Sequence, residues 1–240
     1  MKRLLVLLYG VACYAVFAQV LLYFIGFLEG FLVEKTVNSG APPPLARAVL
    51  IDSALIGLFG VQHSVMARRR FKAWWSLLVP ACIERSTYVL ATSLAFVALI
   101  HGWQPIPGTI WQIDQPLAKT AMYAISAGGW LLVLLATFMT NHFDLFGLRQ
   151  VYLYSVRRRY MPVPFEEKWL YRWIRHPMMS GVLIAVWATP AMTAGHLLLA
   201  LGFTVYILVG VHFEEKDLSG DLGEAYLRYT RRTARFLPFR

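Results

Sequence analysis

Residues 178–213 read MMSGVLIAVWATPAMTAGHLLLALGFTVYILVGVHF, thirty-six positions without one Asp, Glu, Lys or Arg. A single helix of that length would extend about 54 Å at about 1.5 Å per residue. The hydrocarbon core of a bilayer is only about 30 Å thick. Pro190 and the Thr-Ala-Gly that ends at Gly195 break the run in its middle. The stretch therefore predicts a tight helical hairpin, with a short first arm and a fuller second arm.

Four more apolar runs precede it: Leu4 to Leu28, Arg47 to Arg68 with Asp52 near its start, Ser86 to Trp103, and Lys119 to Asp144. Each is long enough for one crossing. Of 240 residues, 58% are hydrophobic and 15% charged, where a soluble domain carries about a quarter charged residues. The fold class expected is an all-α integral membrane bundle of five spans, the last bent into the hairpin, forming a single domain over residues 1–240. The first run follows Lys2 and Arg3 as a signal peptide would, but its length fits a retained span. Cys13 and Cys82 form no CxxC pattern, so neither a disulfide framework nor a cysteine metal site is expected.

The net charge of +10 could suggest nucleic acid, but the charges cluster at the ends of apolar runs and no reading module accompanies them. They read as anchors to lipid head groups. Twenty of the 23 Lys and Arg fall at the termini, after run two and after run four; Lys35, Arg47 and Lys119 fall on the other side. This bias predicts both termini in the cytoplasm of a cell whose inner membrane the chain spans. The loop from His101 to Pro116, with three Pro and two Trp, reads as an interfacial cap without chemistry.

Polar residues cluster at the inner ends of the runs, where they are costly unless used. They are Gln62-His63-Ser64, Glu84-Arg85-Ser86 with Tyr88, Asn141-His142 through Arg149-Gln150, Arg175-His176-Pro177, and Glu214-Glu215. Any one of them has an ordinary explanation as an interfacial or anchoring residue; their common depth points to a site open to the cytoplasm. Arg175 and His176 precede a helix that starts at Pro177, and a helix N-terminus attracts an anionic group. Gly181 allows a close backbone approach. Glu214 and Glu215 stand where the second arm returns to the same surface, and a carboxylate accepts hydrogen bonds from ribose hydroxyls or an amine. The two ends of the hairpin thus suit an amphoteric, nucleoside-sized ligand.

Arg175-His176-Pro177-Met178-Met179-Ser180-Gly181, the hairpin, Glu214-Glu215-Lys216-Asp217-Leu218, then Gly223, Tyr226, Tyr229 and Pro238 resemble the isoprenylcysteine carboxyl methyltransferase and phospholipid methyltransferase superfamily. Met179 departs from the Tyr usual there. The resemblance implies S-adenosylmethionine as cofactor, held by Arg175, His176, Pro177, Gly181, Glu214, Glu215 and Tyr226, in a cofactor-binding part of about 142–240. Gln62–Arg68, Glu84–Leu90 and Asn141–Gln150 look like the bacterial methanethiol S-methyltransferases, and the N-terminal half is similar to NnrU-like proteins. The reaction this implies is methylation of a small thiol, methanethiol to dimethyl sulfide, leaving S-adenosylhomocysteine. His142, Arg149 and His63 are the candidates to favour the thiolate, with no metal required and no obligate protein partner. Phe143, Leu145, Phe146 and Leu148 are expected to keep the thiol pocket small. Three alternatives remain: a carboxyl or lipid methyltransferase with a larger substrate, a haem-binding isomerase using His63 and His142 as ligands, and a passive membrane scaffold.

A cysteine introduced into the C-terminal tail should resist an impermeant thiol reagent in sealed cells and react once the membrane is opened. Ready labelling from outside would reverse the predicted orientation.

Overall fold

The computed structural model describes residues 1–163 and 166–237. Five helices among them are long and apolar enough to cross a membrane: α1 (Lys2–Glu29), α2 (Leu45–Ala67), α4 (Ala81–Gly102), α5 (Pro116–Thr140) and α9 (Ala194–Leu222). Shorter helices are α3 (Arg69–Trp75), α6 (His142–Leu145), α7 (Leu148–Ser155), α8 (Pro177–Trp187) and α10 (Glu224–Arg232). Two short strands, β1 (Thr109–Gln112) and β2 (Ala191–Thr193), pair antiparallel. The all-α integral membrane class is borne out. Helices satisfy every internal backbone group within the segment, which hydrocarbon requires. Contacts divide the chain into two compact units: the described residues of Met1–Gly108, Asn141–Pro164 and Ala194–His196, and those of Thr109–Thr140, Phe165–Thr193 and Leu197–Arg240.

In the first unit α4 is the centre, with α1 and α2 packed on it and α7 packed on α1. Phe24, Phe27, Leu99 and Trp103 are buried there. Gly10 brings α1 onto α7, since a Cβ at that position would lie 2.5 Å from the side chain of Val151. Trp103 is not the interfacial residue its loop suggested. It lies in the core, 1% exposed, and its indole N–H donates to the Val37 carbonyl at 3.2 Å. Asp52, the one acid inside run two, is fully buried and accepts the backbone N–H of Gln104 at 2.8 Å. It fastens the end of α4 to α2. Helix α4 begins at Ala81, five residues before the apolar run does. Pro80 precedes the helix and Glu84 stands in its first turn, where an acid is favoured by the helix dipole. Residues that read as loop charges are thus helical.

In the second unit α5 packs along α8. The contact is backbone to backbone. A Cβ on Gly181 would meet the Gly129 carbonyl oxygen at 2.6 Å, and one on Gly129 would meet the Gly181 oxygen at 2.7 Å. Small residues commonly allow such approaches between helices in membranes. Ser126 strengthens the seam by donating to the Ala185 carbonyl at 3.2 Å. The predicted hairpin forms: α8 has 11 residues, β2 makes the tip against β1, and α9 runs for 29. Trp187 donates its indole N–H to Thr204 at 2.9 Å across the two arms. Helix α9 does not stop where the apolar run stops. Glu214 and Glu215 lie inside it.

Gly181→Ala should lower stability by at least about 1–3 kcal/mol, because the clash is with backbone that cannot rotate away. A thermal melt in detergent would read this. Gly210→Ala, with no atom within 4 Å of the added Cβ, should melt near the parent. Equal melting of both variants would remove the packing role of Gly181.

Candidate functional site

The second unit gathers the residues expected to hold a cofactor. His176 is the residue before α8, Pro177 is its first residue, and no side chain caps that N-terminus. The Arg175 guanidinium donates to Glu215 at 2.8 Å and to the Thr230 and Thr233 carbonyls. Nε2 of His176 lies 3.1 Å from the same carboxylate oxygen of Glu215, and Nδ1 lies 3.6 Å from Glu214. Glu215 is therefore the hub, with its side chain 12% exposed. The side chain of Glu214 is 52% exposed and has the freer carboxylate. Tyr226 is buried, and burial followed by the charge of Glu215 pushes its phenol up to about 12. Tyr171 is pushed up to about 12 by burial and by Glu214. Both phenols stay protonated at neutral pH and can act as donors. The close approach that Gly181 permits is made by Gly129 of α5.

One contributor was not visible in the sequence as a site residue. The chain after α10 lies beside the entry to α8: Arg175 and His176 donate their backbone N–H groups to the carbonyls of Ala234 and Arg235, at 2.8 and 3.1 Å. Ser180 adds a bond to the Phe236 carbonyl at 2.6 Å. This places Arg235 at 2.5 Å from the second oxygen of Glu215. Thr233 is buried with a hydroxyl that has no hydrogen-bond partner among the described residues. Arg235 counted only as a topology charge, and a single parallel bridge, Ile174 to Ala234, leaves no periodic signal. Pro238 lies outside the described residues.

An amphoteric nucleoside fits the donors present. An exposed carboxylate, an uncapped helix N-terminus, protonated phenols and the unpartnered Thr233 hydroxyl stand in one unit. Glu215, by contrast, is saturated by Arg175, His176 and Arg235, so its part is to hold the frame.

In the first unit His142, Arg149 and His63 are each held differently. Asn141 adopts a left-handed conformation with φ 99° and caps α6 by accepting the Asp144 N–H at 3.1 Å. Gly147, at φ 86°, presses the turn onto α4, where a Cβ would lie 2.6 Å from Ser86 Oγ. Between them His142 is buried, its Nε2 at 2.7 Å from the Tyr14 hydroxyl of α1, its ring edge-on to Phe146. Burial pushes its pKa down. Arg149 pairs with Asp144 at 2.9 Å and donates to the Met161 carbonyl at 3.0 Å. His63 lies 2.9 Å from the Tyr88 hydroxyl and 3.3 Å from Thr92. Arg85 ties these groups together, with its guanidinium 5.5 Å from the centre of the Tyr88 ring and bonded to the Leu145 carbonyl at 2.9 Å. Tyr14 was not foreseen, since 128 residues separate it from His142.

Residues 52–237 match the model of the family described as NnrU protein. The chain belongs to the NnrU family. The match runs well beyond the N-terminal half in which that likeness was read. Over 239 residues, covering 100% of this chain and 98% of the relative, it is 49% identical to the methanethiol S-methyltransferase of Mycobacterium tuberculosis. It is 46% identical to the methanethiol S-methyltransferase of Crocosphaera subtropica, covering 100% of this chain and 94% of that one. Nurim of Xenopus laevis is 30% identical over 77% of this chain and 68% of its own length. No solved structure matches.

Glu215→Ala leaves Arg175 and His176 without their shared partner, and breaking such a buried group costs about 3–5 kcal/mol. It should reduce the yield of folded protein, whereas Glu214→Ala should fold and melt close to the parent. Size-exclusion profiles and melts that rank the two variants the other way would reverse the assignment of frame and free carboxylate.

Proposed function

We propose that this integral membrane enzyme transfers a methyl group from S-adenosylmethionine to methanethiol, giving dimethyl sulfide and S-adenosylhomocysteine. What carries the reading is end-to-end similarity to methanethiol S-methyltransferases at 44–49% identity. The cluster of Arg175, His176, Glu214, Glu215 and Tyr226, with Pro177 opening α8, supports it from the chain's own chemistry. The isoprenylcysteine-type and haem-binding alternatives gain no support from the names of these relatives.

S-adenosylmethionine supplies a sulfonium methyl, from which a thioether leaves as the new carbon–sulfur bond forms. The protein's tasks are to bind, orient and deprotonate. Glu214 would accept hydrogen bonds from ribose hydroxyls or the ammonium, and the α8 N-terminus with His176 would attract the carboxylate. Glu215, through Arg175 and Arg235, keeps that arrangement in place. The thiol must lose its proton, and an alkyl thiol is mostly protonated at neutral pH. His142 is the base proposed. A lowered pKa leaves its imidazole neutral at pH 7 and able to accept a proton. Arg149 and His63 are proposed to assist, by positive charge and by holding Tyr88. The positive charge bias supports a topology with both termini on the cytoplasmic side of a bacterial inner membrane.

Purified protein incubated with S-adenosylmethionine and methanethiol should release dimethyl sulfide into the headspace. Glu214→Ala should weaken S-adenosylmethionine binding ten- to a hundredfold, about 1.4–3 kcal/mol at about 1.4 per decade. His142→Ala should lose most activity near pH 7, by about a hundredfold if it is the general base. It should recover towards the parent above about pH 9, where thiols ionise unaided. No dimethyl sulfide from the parent would sink the reading; an unchanged pH profile would remove His142 from the chemistry.

A further inference from the structure

A cavity of about 720 Å³ lies wholly within the first unit, at the N-terminal end of α4. It is far larger than a two-heavy-atom thiol needs, and charged side chains line it. Lys72 comes from α3, Arg85 and Glu84 from the first turns of α4, Asp144 from α6, Gln150 from α7, and Arg158 from the chain that follows. The charges do not cancel. Asp144 is already satisfied by Arg149 at 2.9 Å and the Tyr160 hydroxyl at 3.2 Å. Among the described residues neither Lys72 nor Arg158 has an ion-pair partner within 4.0 Å. That leaves three cations facing the single acid Glu84.

Three further observations narrow the ligand. The first-turn N–H groups of α4 have no side-chain cap and open beside these cations, an arrangement that favours phosphate. Among the described residues Gln150, which lines the cavity, has a buried side-chain oxygen with no hydrogen-bond partner, an acceptor for a hydroxyl. Trp74 near the end of α3, and Leu77 and Leu78 between α3 and α4, are exposed, and large apolar side chains beside cations are what acyl chains and head groups meet at an interface. Burial pushes the Lys72 ammonium down, Arg85 adds to that and Glu84 opposes it, which agrees with like charges held close together.

We propose that this cavity binds the head group of an anionic, hydroxyl-bearing phospholipid of the phosphatidylglycerol type. Its phosphate meets Lys72, Arg85 and Arg158 at the α4 N-terminus, its glycerol hydroxyl meets Gln150, and its acyl chains lie along Leu77 and Leu78. The proposal does not depend on the methyl-transfer reading.

The test is calorimetric titration of dihexanoyl phosphatidylglycerol into the full chain in a neutral detergent. Dihexanoyl phosphatidylcholine and glycerol 1-phosphate are the comparison probes. One saturable site per chain is expected, at least tenfold weaker for either comparison probe. Lys72→Gln combined with Arg158→Gln should weaken phosphatidylglycerol binding at least tenfold. Glu84→Gln, which removes the opposing charge, should strengthen it several-fold. Absence of a saturable site, or unchanged affinity in the folded double variant, overturns the proposal. Equal affinity for glycerol 1-phosphate overturns the lipid and assigns the cavity to a soluble phosphate ester. If the double variant does not fold, Glu84→Gln decides alone: affinity equal to or below the parent's refutes the site.

Discussion

Hydrocarbon offers no hydrogen bonds, and that single fact orders this chain. It forces the apolar runs into helices that satisfy their own backbone. It drives most charged side chains to the helix ends. It also makes a polar group inside a span costly without a partner. Asp52 finds the backbone of Gln104, His63 finds Tyr88 and Thr92, and Thr204 finds Trp187. The polar groups left at the helix ends then have to be stabilised by one another. There the charged clusters form: Arg175, His176 and Arg235 around Glu215 in one unit, Arg85, Asp144 and Arg149 in the other.

The same constraint explains what could be read from the sequence. The hairpin was legible because thirty-six uncharged positions have few ways to fold in a bilayer. The site motifs were legible because charge at a span end is expensive and therefore conspicuous. What stayed hidden were contacts between distant segments that carry no period. The tail beside α8 rests on backbone bonds from Arg175 and His176 to Ala234 and Arg235. Tyr14 reaches His142 from a helix that reads as an ordinary span. Glu214 and Glu215 were legible as a pair but not as unequals; only the positions of Arg175 and Arg235 separate the buried hub from the exposed carboxylate.

Helix α1 illustrates how a span comes to shape the surroundings of a distant polar residue. It lies outside the stretch that matches the family model, which begins at residue 52. Yet Gly10 allows it onto Val151 of α7, and one turn later Tyr14 meets His142. The rings of Tyr14 and Phe146 flank that histidine, and Phe17 stacks on Phe146 at 4.4 Å. Burial by these rings is a physical reason for the lowered pKa of His142, so the first span contributes to the electrostatics of a residue more than a hundred positions away.

The contact between Gly129 and Gly181 has a consequence for how such a chain can change over time. Each glycine faces the other's carbonyl oxygen, at 2.6 and 2.7 Å from where a Cβ would stand. A clash between two side chains can be relieved by trimming the partner, which gives a lineage a second-site escape. Here the partner is backbone on both sides and has nothing to trim. Mutation at either position is penalised by the other's backbone, and no second substitution removes that carbonyl. Between α5 and α8, sequence drift is therefore confined to the positions around this pair.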